Sequence, residues 1–127
     1  LFSNALPPVV AAGALRALDL VAKGDEVSDR LHANAVFFRA QLTALGFRLI
    51  PGEHPIIPVM LGEAALATSR AEALLNEAVY VVGFSYPVVP EGRARIRVQM
   101  SAVHTRAQLE QAVEAFAKVG RALAVIQ

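Results

Sequence analysis

The 127-residue sequence contains no cysteine, which excludes disulfide bonds, thiolate catalysis and cysteine-ligated metal sites. Its formal net charge is only +1, so it lacks the basic excess that neutralises phosphates, and we expect no nucleic-acid partner. No apolar run approaches the length of a membrane span, and no signal-peptide pattern opens the sequence. We therefore expect a cytoplasmic protein that makes no membrane contact.

Lysine and histidine are also scarce. The only lysines are Lys23, at a predicted helix end, and Lys118, on a predicted exposed helix face. Neither has the buried setting that lowers the pKa of a lysine for Schiff-base chemistry. His32, His54 and His104 lie far apart without metal-ligand spacing, so we expect no metal site. This stretch alone is expected to hold no catalytic residue and no complete active site.

The sequence is instead rich in apolar residues, which make up 55% of it, against 18% charged residues. These proportions are typical of a packed globular chain, and the length suits one domain with a modest core. Hydrophobic periodicity predicts helices and short strands. The predicted helices span residues 9–23, 25–45, 63–78 and 106–123, and the predicted strands span residues 47–50, 55–61, 79–84 and 93–100.

This order of elements predicts an α+β fold: a small, mostly antiparallel sheet with helices packed on one side, preceded by two helices. Pro8 suits the first turn of the first helix, Gly24 its end, and Asp25 the cap of the second helix. Pro58 marks an edge or a bulge. The run at 79–84 is apolar throughout, which indicates a strand buried on both faces.

The first helix is apolar nearly all round, which indicates burial on several sides and partners on both flanks. We expect it to lie at a subunit or domain interface. The sequence therefore divides into a lead-in loop and linking helix, residues 1–24, and a small domain, residues 25–127.

Three arginines, Arg93, Arg95 and Arg97, alternate along the last predicted strand and so share one face of it. The planar fork of an arginine matches a carboxylate with two parallel charge-assisted hydrogen bonds. One interpretation is an anchor for an acidic small molecule, and the other is a solvated edge of the sheet. The solvated edge is the better interpretation of Arg93 and Arg95, and both stay open for Arg97. His104 either orders the following turn or contacts a ligand.

Four segments together resemble a known family. They are FSNALPP at 2–8, IIPVMLG at 56–62, GFSYPVVP at 83–90 and ARIRVQMSAVHT at 94–105. They are similar to the C-terminal part of the glycine C-acetyltransferases, a branch of the pyridoxal-phosphate-dependent α-oxoamine synthases of aminotransferase fold type I. The resemblance covers essentially the whole sequence, and its most specific part is the loop 86–90 followed by the arginine strand 93–100.

The resemblance implies the C-terminal small domain of that fold and a cofactor, pyridoxal 5'-phosphate. The whole enzyme of this family condenses glycine with acetyl-CoA to 2-amino-3-oxobutyrate and CoA, with the cofactor as electron sink. The arginine that matches Arg97 binds the carboxylate of the amino acid. The residues that match Ser3 and Asn4 lie at the cofactor phosphate of the partner subunit, which implies a homodimer with a shared active site.

The sequence lacks three functional residues that the family pattern contains. The attachment lysine, the aspartate at the cofactor ring and the stacking histidine belong to an upstream domain, so this stretch should be inactive alone. Because it begins at Leu1, we expect it to be part of a longer chain. Two alternatives remain: another α-oxoamine synthase with a longer acyl-CoA, such as 8-amino-7-oxononanoate synthase, and a stand-alone α+β ligand-binding or dimerisation module.

Overall fold

A computed structural model describes residues 5–126, apart from the side chain of Asp25. Ser3 and Asn4 lie outside the described residues. Within them the chain forms four helices and three strands. In chain order these are α1 (Pro8–Lys23), α2 (Asp25–Ala44), β1 (Ile56–Gly62), α3 (Ala64–Asn76), β2 (Val82–Phe84), β3 (Ala94–Gln99) and α4 (Arg106–Ala122). The predicted α+β fold with two leading helices is confirmed.

The three strands form one antiparallel sheet in the order β1-β3-β2. Residues Ile57, Val59, Ile96 and Val98 point to one face of the sheet and are buried. They join one core cluster with residues of α2, α3 and α4, so the helices cover that face, as predicted. The rings of Phe38 and Phe47 each meet Phe116 edge-on at 5.8 Å and complete the core.

The opposite side of the sheet is the open face, on which no helix packs among the described elements. Alternation in the strands and the pairing of β1 and β2 with β3 place eight side chains on it: Ile56, Pro58, Met60, Val82, Phe84, Arg95, Arg97 and Gln99.

Two predicted strands are shorter than the sequence indicated. Residues 47–50 form only an isolated bridge, Leu49 with Val59, because Pro51 follows at once and Pro58 offers no N–H for further pairing. In the run at 79–84, only Val82–Phe84 is a strand. Its predicted burial on both faces is wrong: Val81 is buried but Tyr80 is 79% exposed, because helices cover only one side of the sheet.

Pro58 itself behaves as predicted. It lies on β1, which is an edge strand of the sheet, and the register of β1 shifts between Met60 and Gly62. The loss of one hydrogen-bond donor is tolerated there because an edge strand pairs fully on one side only.

Helix ends follow the predictions at some termini and not at others. Pro8 lies in the first turn of α1, as predicted. A capping box begins α4, with Gln108 N–H bonded to Thr105 Oγ1 and Thr105 N–H bonded to Gln108 Oε1. Asp25 is not the cap of α2: Gly24 takes that position, because its carbonyl already accepts hydrogen bonds from the N–H groups of Val27 and Ser28.

The helix α1 buries no residue in this chain. Among the described elements it contacts only α2, and its apolar side chains stay exposed, Val9 by 78% and Val21 by 77%. Its predicted burial on several sides is therefore not met within the described residues. The division at residue 24 stays a prediction. None of the helices in the described part of the chain is both long and apolar enough to cross a membrane.

Candidate functional site

The open face of the sheet carries the arginines that the sequence singled out. Along β3, Ala94, Ile96 and Val98 are buried, whereas Arg95 is half-buried and Arg97 is exposed. The predicted alternation is confirmed. The predicted sheet edge is wrong, because β3 is the central strand and what it exposes is a sheet face. The solvent exposure that the same interpretation expected is present at Arg93 and Arg97.

Arg97 has no anionic side chain beside it among the described residues. Its direct neighbours across the strands are Pro58 on β1 and Val82 on β2. Its guanidinium carbon lies over the ring of Phe84, 4.4 Å from the ring centre. The only ion pair within residues 5–126 joins Lys118 to Glu77, so Arg97 has no carboxylate partner there. Its charge and its N–H donors are free to bind an anion.

The other two arginines differ from Arg97 in position. Arg93 is exposed and precedes the strand. Arg95 is half-buried between Met60 and Phe84, its partners in register. In the described structure, the aromatic rings that carry a stacked arginine are Phe47, Phe84 and Phe37, and neither Arg93 nor Arg95 is among their partners.

The turn that follows β3 is fixed by two polar side chains. His104 Nδ1 accepts a hydrogen bond from Ser101 N–H at 3.2 Å, so this side chain orders the turn, which was one of its two interpretations. Asn34 on α2 donates to Ser101 O and to His104 O, both at 3.0 Å. The sequence did not single out Asn34, because its position on the polar side of a helix predicts solvent rather than a distant carbonyl.

An open cleft of about 450 Å³ lies near this turn. Core-facing residues such as Phe38, Val98 and Leu109 form part of its wall, and His104 and Gln108 also line it. Arg97 does not line the cleft. This cleft is therefore separate from the arginine that the sequence singled out.

Neither lysine of the described residues is buried. Lys23 is exposed in the last turn of α1, and Lys118 is exposed and paired with Glu77. Neither lies on the open face. Residues 5–126 also hold no group of three acidic or histidine side chains that could bind a metal ion.

Arg70 on α3 is a buried charge that the sequence did not reveal. It is only 2% exposed, and within the described residues its three guanidinium nitrogens have no hydrogen-bond partner. Burial lowers the pKa of Arg70. The helical period puts it on the same face as Ala67 and Leu74, whereas the neighbouring Leu75 is 56% exposed. Because arginine is rarely buried, an arginine in a helix normally indicates that its side of the helix is exposed.

Comparison with known proteins agrees with this fold. Residues 1–116 match the aminotransferase class I and II family, and the chain belongs to that family. It is 53% identical over 126 residues to 2-amino-3-ketobutyrate coenzyme A ligase of Escherichia coli K12, covering 99% of this chain and 32% of the relative. It is 42% identical to an 8-amino-7-oxononanoate synthase/2-amino-3-ketobutyrate coenzyme A ligase of Thermus thermophilus. That match covers 100% of this chain and 32% of the relative.

Among solved structures, a serine palmitoyltransferase from S. paucimobilis with a bound PLP–myriocin adduct superposes with a TM-score of 0.90. It is 34% identical, and the match covers 99% of this chain and 32% of that one. The expected aminotransferase fold and family are confirmed, as is the dependence of this family on pyridoxal phosphate. The chain spans about a third of the length of these relatives. The roles of Arg97, Ser3 and Asn4 stay predictions.

Proposed function

We propose that this chain forms the C-terminal part of a pyridoxal-phosphate-dependent acyltransferase that condenses glycine with acetyl-CoA, giving 2-amino-3-oxobutyrate and CoA. The similarity to the E. coli 2-amino-3-ketobutyrate coenzyme A ligase supports the reaction. The observation that carries the proposal is the free guanidinium of Arg97 on the open face, flanked by Pro58 and Val82.

Arg97 binds the carboxylate of glycine in this proposal. Two parallel charge-assisted hydrogen bonds fix both the position and the plane of a carboxylate. With the carboxylate held, the amino group and the α-carbon of glycine have a defined position relative to the sheet. The direct neighbours of Arg97 across the strands are apolar, so no carboxylate side chain of the described residues competes with the substrate for its charge.

The cofactor supplies an electron sink for the negative charge left when a proton leaves the α-carbon. Because Lys23 and Lys118 are exposed and lie away from the open face, the attachment lysine belongs to another part of the parent protein. In this proposal Ser3 and Asn4 bind the cofactor phosphate of the partner subunit. The chain taken alone is therefore inactive.

A homodimer with a shared active site accounts for the exposed apolar surface of α1. Val9 and Val21 lie at opposite ends of this helix and are both exposed. Apolar surface of this extent is unusual on a monomer and marks an interface. In this proposal residues 1–24 connect the small domain, residues 25–127, to the rest of the parent protein and to its partner. A cytoplasmic location stays a prediction.

The test is release of CoA by the full-length parent protein loaded with pyridoxal phosphate. We expect free thiol to form from acetyl-CoA when glycine is present and not when glycine is omitted. Thiol release that does not depend on glycine, or a parent protein with no cofactor absorbance, would contradict the proposal. The second of these results would favour the stand-alone binding or dimerisation module.

A second candidate is an α-oxoamine synthase that uses a longer acyl-CoA. The relative from Thermus thermophilus favours it, because its name joins both activities. A series of acyl-CoAs of increasing chain length separates the two candidates. A kcat/KM that is highest for acetyl-CoA supports the acetyltransferase, and one that rises with chain length supports the synthase.

A further inference from the structure

Phe84 and Arg97 are diagonal neighbours on the open face. In the pairing of β2 with β3, Val82 is opposite Arg97 and Phe84 is opposite Arg95. Diagonal side chains of an antiparallel pair lie within reach of each other when one is aromatic and the other long. The guanidinium carbon of Arg97 lies 4.4 Å from the centre of the Phe84 ring, well within the range of a cation–π contact.

Within residues 5–126, the ring of Phe84 is the aromatic group that lies against the guanidinium of Arg97. The cross-strand neighbours Pro58 and Val82 offer no side-chain hydrogen-bond acceptor, and no carboxylate of the described residues pairs with it. An unrestrained arginine side chain has many rotamers, and binding a ligand must remove that freedom. A contact that already restricts the side chain reduces the loss.

The short distance between the guanidinium carbon and the Phe84 ring fits a stacked contact, and such a contact would leave the N–H edge of Arg97 free. A guanidinium that lies over a ring uses its face for that contact, while its N–H donors point outward in the plane of the group. Packing alone does not account for Phe84, because it is not part of the buried core cluster. It is half-buried, on the same face as the arginine.

We propose that Phe84 is a positioning residue for Arg97: its ring holds the guanidinium with the N–H edge directed away from the sheet, ready for the carboxylate of an amino acid. This inference rests on the proposed function, since the carboxylate is that of the substrate. It adds a residue that shapes recognition of the substrate without contacting it.

The experiment uses the full-length parent protein loaded with pyridoxal phosphate. Dissociation constants of glycine and of methylamine are measured from the change in cofactor absorbance. Methylamine carries an amino group without a carboxylate. The ratio of the glycine constant to the methylamine constant therefore isolates the carboxylate contact. We expect Phe84→Leu to raise the glycine constant about threefold to tenfold and to leave the methylamine constant unchanged. Phe84→Tyr keeps a ring and should keep the wild-type ratio.

A matched control is available on the other side of the sheet. The ring of Phe37 on α2 lies under the guanidinium of Arg106, at 3.6 Å. Phe37→Leu removes a similar stacking contact and some core packing, so it reports the effect of lost stability alone. We expect it to leave the ratio at the wild-type value. If Phe84→Leu does not fold, Phe84→Met, which retains most of the volume, takes its place.

The outcomes separate this inference from the proposed function. A raised ratio in Arg97→Lys together with an unchanged ratio in Phe84→Leu overturns the positioning role and leaves the carboxylate site intact. An unchanged ratio in Arg97→Lys overturns the carboxylate site, and the inference with it. A ratio that Phe37→Leu raises as much as Phe84→Leu assigns the effect to general loss of packing and also overturns the inference.

Discussion

The guanidinium carbon of Arg70 lies 5.9 Å from the centre of the Phe47 ring, inside the core of the domain. The side chain is almost wholly buried, and within the described residues its nitrogens have no hydrogen-bond partner. A cation–π contact at this distance offsets only part of the cost of removing the charge from water. Arg70 therefore opposes the stability of the fold that contains it.

Replacing Arg70 with methionine should stabilise the parent protein by about 1–3 kcal/mol, because an apolar chain of similar length fills the site without an unpaired charge. Chemical denaturation of both proteins measures this gain. The exposed Arg48 provides the control, and Arg48→Met should stay within about 0.5 kcal/mol of wild type. A loss of stability in Arg70→Met would show that the guanidinium has a partner in the intact protein.

The pH dependence of this gain follows from the direction of the pKa shift. Burial lowers the pKa of Arg70 in the folded state. At any pH at which Arg70 is protonated in the unfolded state, this shift therefore reduces the free energy of unfolding. The penalty is complete below the lowered pKa and is relieved only as the pH rises towards the ordinary, strongly alkaline value. The gain from Arg70→Met should therefore be largest at low pH and should decrease only as the pH rises through the lowered pKa.

Ala78 lies just beyond the end of α3 with a φ of 61°. Its N–H bonds to Leu75 O, and the next N–H, of Val79, bonds to Leu74 O at 2.8 Å. This is the Schellman arrangement, in which glycine is the usual residue at the left-handed position. We expect Ala78→Gly to stabilise the protein by about 0.5–1 kcal/mol. Glycine removes the strain of the left-handed backbone conformation, and this gain exceeds the cost of the larger conformational entropy that glycine gives to the unfolded chain.

The matched control for Ala78→Gly is Ala40→Gly, on the exposed side of α2. There the same substitution falls inside a helix and should destabilise by about 1 kcal/mol. Urea denaturation distinguishes the two variants by the sign of the change. Destabilisation by both would show that the left-handed conformation of Ala78 carries no strain.

The same motif explains why the sequence predicted some helix ends and not others. At the end of α2, the left-handed position is Gly46, and the glycine marks the boundary in the sequence. At the end of α3 an alanine takes this position, and alanine favours helix, so the predicted helix ran on to residue 78. Propensity is a weak guide wherever tertiary packing holds a residue in a conformation it does not favour.

The face of each strand was more predictable than its length. Alternation along β3 required only local sequence, and it placed Arg97 correctly opposite the buried face. The length of β2 depended on its position at a sheet edge, and the link between Asn34 and the turn after β3 joins residues 67 and 70 positions apart. Contacts so distant in sequence leave no periodic signal. The buried Arg70 was missed because its residue type normally indicates an exposed position.

Asn34 joins α2 to the turn that follows the arginine strand. Asn34→Ala removes two hydrogen bonds and leaves the carbonyls of Ser101 and His104 without this donor, so we expect a loss of about 1–3 kcal/mol. Asn34→Asp should cost more, because it places a charged acceptor against two carbonyl oxygens. Thermal unfolding of both variants tests this order. Equal stability of Asn34→Ala and wild type would contradict the structural role.

The most direct test of the account is the glycine kinetics of Arg97→Lys in the full-length parent protein, with Arg95→Lys as the matched variant on the same strand. Lysine keeps the charge and removes the planar fork. We predict that Arg97→Lys lowers kcat/KM for glycine about 10-fold to 100-fold, with the KM for acetyl-CoA unchanged and Arg95→Lys close to wild type. Unchanged glycine kinetics in Arg97→Lys would contradict the assignment of this arginine to the carboxylate of the substrate.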